Sequence, residues 1–387
     1  VNVYSQKKEL PDIKKQFPEY KMPSSQVLQN VIFGVDAAYR MFFTKRRDGD
    51  RDVRPPGFKS FRRFFTQEYS QRGNSFTVTE GNGGNILRLA YGSRPSDWIE
   101  IVLNTAIAGS PKTVVISKQG HKWYACFTRC VEEPEAVTAG EIIFFDPGCI
   151  TTLSGITSAG KFVEYDINPL RAINYSTYKL IDRLLSERDT KEKGSYRWRR
   201  LNRRIKKLFS KINSRTRTYL HAIAKRILAD HPGVREFRIG DWEKQDTLAD
   251  TGYKFVNRRI NRAVQNNNPV MKLIGFLSYK AILKGQAVNK FDERGSTRTC
   301  VMCGHEHVNG IPPGQRLFVC EVCSFQFPRD HHSCLNFVKK HYPALWQRLS
   351  GNLPDRSMRT TIHPFSFKPQ VTRSVIRTQN TGCFSLQ

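Results

Sequence analysis

The sequence predicts an α/β protein: a mixed sheet flanked by helices, interrupted late in the chain by a small metal-binding insertion and preceded by helices and a small β domain. Three observations lead there. From Glu141 the run EIIFFDPGCITTLSGIT reads as a buried strand ending at Asp146, a Pro-Gly turn and a second strand, with GKFVEYDI as a third. Helical stretches then alternate with single strands, REFRIGDW and QAVNKFDE. Finally, Cys300, Cys303, Cys320 and Cys323 form two CxxC pairs separated by sixteen residues, and Asp330 follows seven residues after the last of them.

The elements follow in order along 387 residues, enough for two or three domains, with 39% hydrophobic residues to fill their cores. Residues 1–70 read as a partial helical region. Its clearest helix, near 24–45, carries Val27, Val31, Val35, Ala38 and Phe42 at mostly helical spacing, and the polar segment 46–57 with its two prolines ends it. Residues 71–137 hold five β-type runs, SFTVTE, NILRLAY, DWIEIVL, KTVVIS and KWYACFTR, between Gly, Ser and Pro turns, which predict a small antiparallel β-barrel. Residues 138–299 form the mixed-sheet core, with a helical hairpin at roughly 169–230, a further helix over about 270–284, and Asp292 and Glu293 carried on the strand just before the cysteines. Residues 300–325 are the insertion, 326–350 a final motif and helix, and 351–387 a tail without periodicity that reads as disordered.

Charge narrows the function. A formal +29 with a pI near 10.0 implies a polyanionic partner, because neutralising phosphates with Lys and Arg releases counterions. Membrane-surface proteins concentrate such charge on one anchor or tail. Here it is spread through the chain, with one dense centre at 188–217 that holds thirteen Lys or Arg against Asp189 and Glu192. Within it Leu201, Ile205, Leu208 and Ile212 form one apolar helical stripe for packing. Arg197, Arg199, Arg200, Arg203, Arg204, Lys206, Lys207 and Lys211 ring the rest and are the candidate phosphate contacts. Tyr196 and Trp198 could stack on bases or serve packing equally well.

Two CxxC pairs let four thiolates close on one zinc ion from tight turns, with a short hairpin expected between them: a zinc ribbon. The other cysteines, Cys126, Cys130, Cys149, Cys334 and Cys383, are scattered and odd in number, as free thiols in a reducing compartment are. No apolar run reaches bilayer length and no secretory signal pattern is present, so an intracellular protein is expected, in the cytoplasm or nucleoid of a prokaryote or the nucleus of a eukaryotic or viral host. The chain opens on Val1 rather than Met, which leaves room for a segment upstream.

An acid at the end of an apolar strand is costly unless it binds a cation or accepts hydrogen bonds. Asp146, Glu293 and Asp330 stand at the ends of three separated elements. Gathered at one sheet edge, such carboxylates can hold two Mg2+ ions that activate a water and stabilise the leaving oxygen at a phosphate. A mixed sheet flanked by helices, with its acids distant in sequence, is the RNase H-like fold.

The order of the motifs carries a family resemblance. An apolar strand with DPG, a basic helical hairpin, a helix with SYKAILKG, DERGSTRTC, two CxxC pairs and an RD-led helix together resemble TnpB, the RNA-guided nuclease of insertion sequences, and its eukaryotic relative Fanzor. Type V CRISPR effectors share this RuvC-like core. The resemblance extends through PEYKMPSSQVLQNVIFGVDAAYRMFF and PPGFKS and covers the chain to about Leu349. It implies that Asp146 is the first RuvC aspartate and Asp330 the last. Most TnpB sequences place the middle glutamate where this chain has Gly240. The adjacent Asp241 points to the other face of its strand. Some relatives use instead a glutamate shortly before the first CxxC, the place of Glu293, which is therefore the preferred middle acid with Asp241 as the alternative.

The resemblance further implies a guide RNA, a target DNA duplex held through its backbone, a structural Zn2+ and two catalytic Mg2+, with 71–137 as a wedge domain and 1–70 as part of a recognition lobe. Pro328, His332 and Ser324 replace the family's usual Asp, Asn and Gly. These departures keep open a nuclease-inactive, repressor-like RNA-guided DNA-binding protein, and transposition-associated DNA binding stands as a further reading. His331 and His332, at a helix start, are expected on the surface or against substrate rather than as extra metal ligands.

Overall fold

The computed structural model describes residues 2–60, 65–81, 84–92, 94–103, 105–107, 109–119, 122–241, 268–293, 295–308, 311, 315–351, 353 and 358–361. They divide into two compact units, one built on Val1–Glu132 and one on Glu133–Pro369. Among the described residues no helix is long and apolar enough to cross a membrane.

In the first unit, helices α1 (Val3–Gln16) and α2 (Ser25–Arg47) precede six strands: β1 (Thr66–Tyr69), β2 (Phe76–Gly81), β3 (Gly84–Leu89), β4 (Ile99–Leu103), β5 (Thr113–Gln119) and β6 (Lys122–Thr128). Helix α1 contains Pro11 and no clear apolar period marks it in the sequence; the Asn2 side chain caps it by accepting the Ser5 N–H at 2.8 Å. All five expected strands form, and with β1 as a sixth their hydrogen bonds among the described residues make two three-stranded antiparallel sheets, β1–β5–β6 and β2–β3–β4, rather than one closed barrel. Alternate side chains of both sheets, including Tyr69, Phe76, Leu87, Ile101, Leu103 and Val114, share one core with Val27 of α2. A sandwich buries the same alternate residues without the continuous strand stagger that barrel closure demands. Val31 and Val35 of the expected α2 stripe stay exposed.

The second unit is organised by a six-stranded sheet in the order β11–β10–β7–β8–β9–β14. Strands β7 (Glu141–Pro147), β8 (Leu153–Thr157) and β9 (Phe162–Asp166) run antiparallel to one another. Strand β10 (Val234–Gly240) lies parallel to β7 on its other side, and β11 (Ala287–Phe291) lies parallel to β10. Three antiparallel strands followed by two parallel ones beside the first is the expected RNase H-like order. Strand β11 stops at Phe291, so Asp292 and Glu293 lie beyond it rather than within it. Strand β14 (Met358–Thr361) joins β9 at the edge, so the region from 351 is not irregular throughout; apart from that strand, Gly351 and Leu353, the tail expected to be disordered lies outside the described residues.

Both faces of this sheet are covered, which explains why β7 is apolar at each of the four positions from Ile142 to Phe145. Ile143 and Phe145 face a core shared with α4 (Tyr196–Asp230) and α5 (Val270–Ile282). Ile142 and Phe144 face the opposite core, built with α6 (Arg329–His341) and α7 (Pro343–Ser350). Helix α3 (Asn168–Asp189) pairs with α4 along the expected stripe, Leu201, Ile205, Leu208 and Ile212 meeting Ile181 and Leu184.

Candidate active site and metal centre

The alternation that buries Ile142 and Phe144 against α6 puts Asp146 on the same face, at the strand end. Asp330 stands in the first turn of α6, on that face. Burial holds the Asp146 carboxyl well above the usual carboxylate range, and the charges of Glu293 and Asp330 push it further; the Arg329 guanidinium and a hydrogen bond from Ser333 oppose the rise. Asp330 is paired with Arg316, from the insertion. Glu293 and Asp330 are thus both electrostatic neighbours of Asp146 at one edge of the sheet.

Gly240 ends β10, and the space beside it is taken: a Cβ built on it would collide with Glu293 Oε2. The Glu293 side chain therefore fills the position a side chain at 240 would claim, although it arrives from beyond the neighbouring strand. Burial, then Asp241 and Asp292, push its carboxyl up to about 7. Its Oε2 is buried with no hydrogen-bond partner among the described residues, an orphan acceptor of the kind a cation satisfies. Asp241 is exposed and paired with Lys290 at 2.7 Å. Carboxylates crowded and desolvated in this way are a candidate divalent-cation site.

The four cysteines form a tighter group. Cys300 and Cys323 Sγ lie 3.6 Å apart and Cys303 and Cys320 Sγ 3.5 Å apart. All four sulfurs fall within 4.8 Å of one another, and among the described residues this is the group whose ligand atoms converge on one ion. A tetrahedral ion with bonds of 2.3 Å needs sulfurs about 3.8 Å apart, so the cluster could hold zinc. The two knuckles are near copies. Thr299 bridges Glu306 around the first, and Val319 pairs with Gln326 around the second. Cys300 N–H donates to His305 O and Cys320 N–H to Phe325 O. The expected hairpin thus encloses the second knuckle, β12 (Leu317–Val319) pairing with β13 (Gln326–Pro328), instead of lying between the two. Each knuckle ends in a left-handed residue, Gly304 at φ 79° and Ser324 at φ 58°. Only the first has the residue that takes this conformation without strain.

The insertion is pinned to α6. Asn336 Nδ2 donates to the carbonyls of Ser296 and Thr299, and Lys339 Nζ to that of Val301. His332 is fully buried, stacks on Phe318 at 3.6 Å and accepts the Val301 N–H; burial pushes its pKa down to about 3. His331 is buried too, donating to Glu164 at 3.0 Å. Neither histidine lies on the surface, contrary to expectation: α6 is covered by the sheet on one side and by the insertion on the other. No periodicity argument reveals this, since the covering partners are remote in sequence.

On α4, Arg197, Arg199, Arg200, Arg203, Arg204, Lys206, Lys207 and Lys211 are all exposed, and no ion pair involves them among the described residues. Trp198 is half-buried beneath Arg188, whose guanidinium sits 5.7 Å from its ring, so it packs; Tyr196, 80% exposed, is the one free to stack.

The fold and its two clusters define a class, RNase H-like with a four-thiol insertion between β11 and α6. The Cas12f1-like TNB domain family matches residues 271–337, from α5 through the insertion into α6. The putative RNA-guided DNA endonuclease InsQ of Escherichia coli (strain K12) is 21% identical over 327 residues, 83% of this chain and 75% of InsQ. Among solved structures, the Cas12f1–sgRNA–target DNA complex superimposes with a TM-score of 0.54 at 13% identity, over 87% of this chain and 75% of that one, which is a likeness of fold. These likenesses support the resemblance to the TnpB family read from the motif order.

Proposed function

We propose that the chain is an RNA-guided DNA endonuclease of the TnpB type, cleaving target DNA by metal-assisted phosphodiester hydrolysis at Asp146, Glu293 and Asp330. The observation that carries this reading is the Glu293 carboxylate lying over Gly240, with a buried orphan oxygen, beside Asp146. A three-acid edge persists although the usual middle position is a glycine. Two Mg2+ ions bound there would supply an activated water and stabilise the leaving oxygen. The chain's own residues hold the edge in place: Ser333 donates to Asp146, Arg329 offsets the clustered negative charge, and Arg316 orients Asp330. Zn2+ in the four-thiol cluster is structural. InsQ is named for RNA-guided DNA cleavage, and the Cas12f1 structure contains a guide RNA and target DNA. The corresponding partners here are a guide RNA and a DNA duplex, for which the unpaired cations of α4 provide the phosphate-binding face.

The test is purification with the RNA transcribed from the flanking DNA, followed by incubation with a matched duplex in Mg2+. Cleavage that disappears in Asp146→Ala while target binding stays is the expected result. Guide-dependent binding with no cleavage by the unaltered protein would install the inactive, repressor-like reading, which the Arg316 guanidinium seated on Asp330 favours.

A further inference from the structure

Asp146 pairs with Ser154 in the β7–β8 ladder, and Ser154 pairs with Glu164 in the β8–β9 ladder. Cross-strand neighbours share a face, so Asp146, Ser154 and Glu164 make one row beneath the first turn of α6. Glu164 and Ser154 are 6% and 1% exposed, and Ser154 Oγ has no hydrogen-bond partner. Above Glu164 sits His331, whose Nε2 lies 3.0 Å from Glu164 Oε1 and whose ring stacks on Phe162 at 4.4 Å. A buried carboxylate and imidazole are costly to retain, and apolar residues of like volume are often as stable or more so. Stability alone does not account for this pair.

We infer that the Glu164–His331 pair is a positioning element: it clamps the first turn of α6 to β9 and thereby sets where Asp330 stands relative to Asp146. The inference rests on the reading of those two acids as cation ligands. Asp330 directly precedes His331 in the first turn of α6. Successive helical residues rise only about 1.5 Å, so a shift at His331 is passed almost undiminished to Asp330. Glu164 is two strands from Asp146, about 10 Å at ordinary strand spacing, and acts through α6 rather than on the cation.

The experiment measures Mn2+ binding by electron paramagnetic resonance on the full-length, zinc-loaded protein with its RNA, Mn2+ standing in for a hard divalent ion. The Asp146-dependent site is defined by subtracting the Asp146→Ala signal. The double variant Glu164→Met with His331→Leu is expected to keep its thermal midpoint and its target-DNA affinity while losing about 10- to 100-fold in Mn2+ affinity, as changes behind a ligand do. Glu164→Gln, which keeps an acceptor for His331, is expected to stay within about 3-fold of the parent. Glu164→Asp, a small change that withdraws the acceptor by one methylene, tests the same point if the double variant fails to fold, and is expected to lose about 10-fold. Unchanged Mn2+ affinity in a folded double variant, or in Glu164→Asp, would overturn the inference and leave the pair a matter of packing. Absence of any Asp146-dependent Mn2+ site in the parent would overturn the cation reading of the edge and this inference with it.

Discussion

The four-thiol cluster and the three-carboxylate edge are neighbours in space and opposites in construction. The thiols come from 24 residues of chain, Cys300 to Cys323, and two near-identical knuckles close them by local turns. The carboxylates come from a strand end, a segment beyond another strand and a helix start, and only the completed sheet brings them together. The first is a site made by spacing, the second a site made by topology. The two are also coupled, since Glu293 enters the insertion and Asp330 leaves it, with Asn336 and Lys339 fastening its base to α6.

Breaking the local site should therefore break the distant one. Structural zinc contributes on the order of 10 kcal/mol to small folds, so Cys300→Ser should lose zinc, measurable by elemental analysis, and cleavage should fall by more than about 100-fold although no acid has changed. A zinc-free variant that cleaves normally would separate the two sites. The edge itself is probed by relocating its middle acid. Removing a group that helps hold the cations sacrifices several kcal/mol of charge stabilisation, so Glu293→Ala should cost about 10³-fold in single-turnover cleavage and Asp241→Ala less than about 3-fold. Gly240→Glu alone should be nearly as damaging, because the new side chain would run into Glu293. Gly240→Glu combined with Glu293→Gly should recover most of the rate, and failure to recover would sink the assignment.

A smaller effect concerns protons. Glu293 carries a pKa of about 7 in the fold against an ordinary 4.5, so the folded state binds its proton more tightly than the unfolded chain does. In the absence of cations its contribution to stability is favourable below about pH 4.5 and is lost as pH rises to about 7. Divalent cations should reverse that trend, since they bind the ionised form. Thermal melts at pH 5 and 8 should thus show a Mg2+ stabilisation confined to the higher pH and reduced in Glu293→Gln. The smallest effect compares the knuckles. Ser324→Gly should stabilise the second by about 1 kcal/mol by relieving its left-handed backbone, and Gly304→Ser should destabilise the first by as much, both read as shifts of a few degrees in the melting of the zinc-loaded protein.

This contrast also explains what the sequence disclosed. The cysteines, the β7 acid and the α4 stripe each follow from periodicity or spacing within a short window. The pairing of strands in the first unit is not legible in this way, because strands of similar pattern fit a barrel or two sheets alike, and hydrogen-bond partners leave no mark on alternation. The histidines of α6 were placed outside because two polar residues at a helix start look exposed until the strand carrying Glu164 and the knuckle at Val301 are known to cover them. The preference for Glu293 over Asp241 is legible as a resemblance, but that the Glu293 side chain lies over Gly240 follows only from the pairing of β10 with β11.

The position of α6 has a consequence for synthesis. A ribosome delivers Asp146 before the helical hairpin, Glu293 about 150 residues later, and Asp330 after both knuckles have emerged. The sheet strands that hold Asp146 are complete once β11 is out, but the face that Asp146 points toward stays uncovered until α6 docks. No nascent fragment lacking α6 carries a complete set of the three acids, so the proposed cation site is assembled last, after the exposed cations of α4 and after all four thiols of the insertion have been delivered.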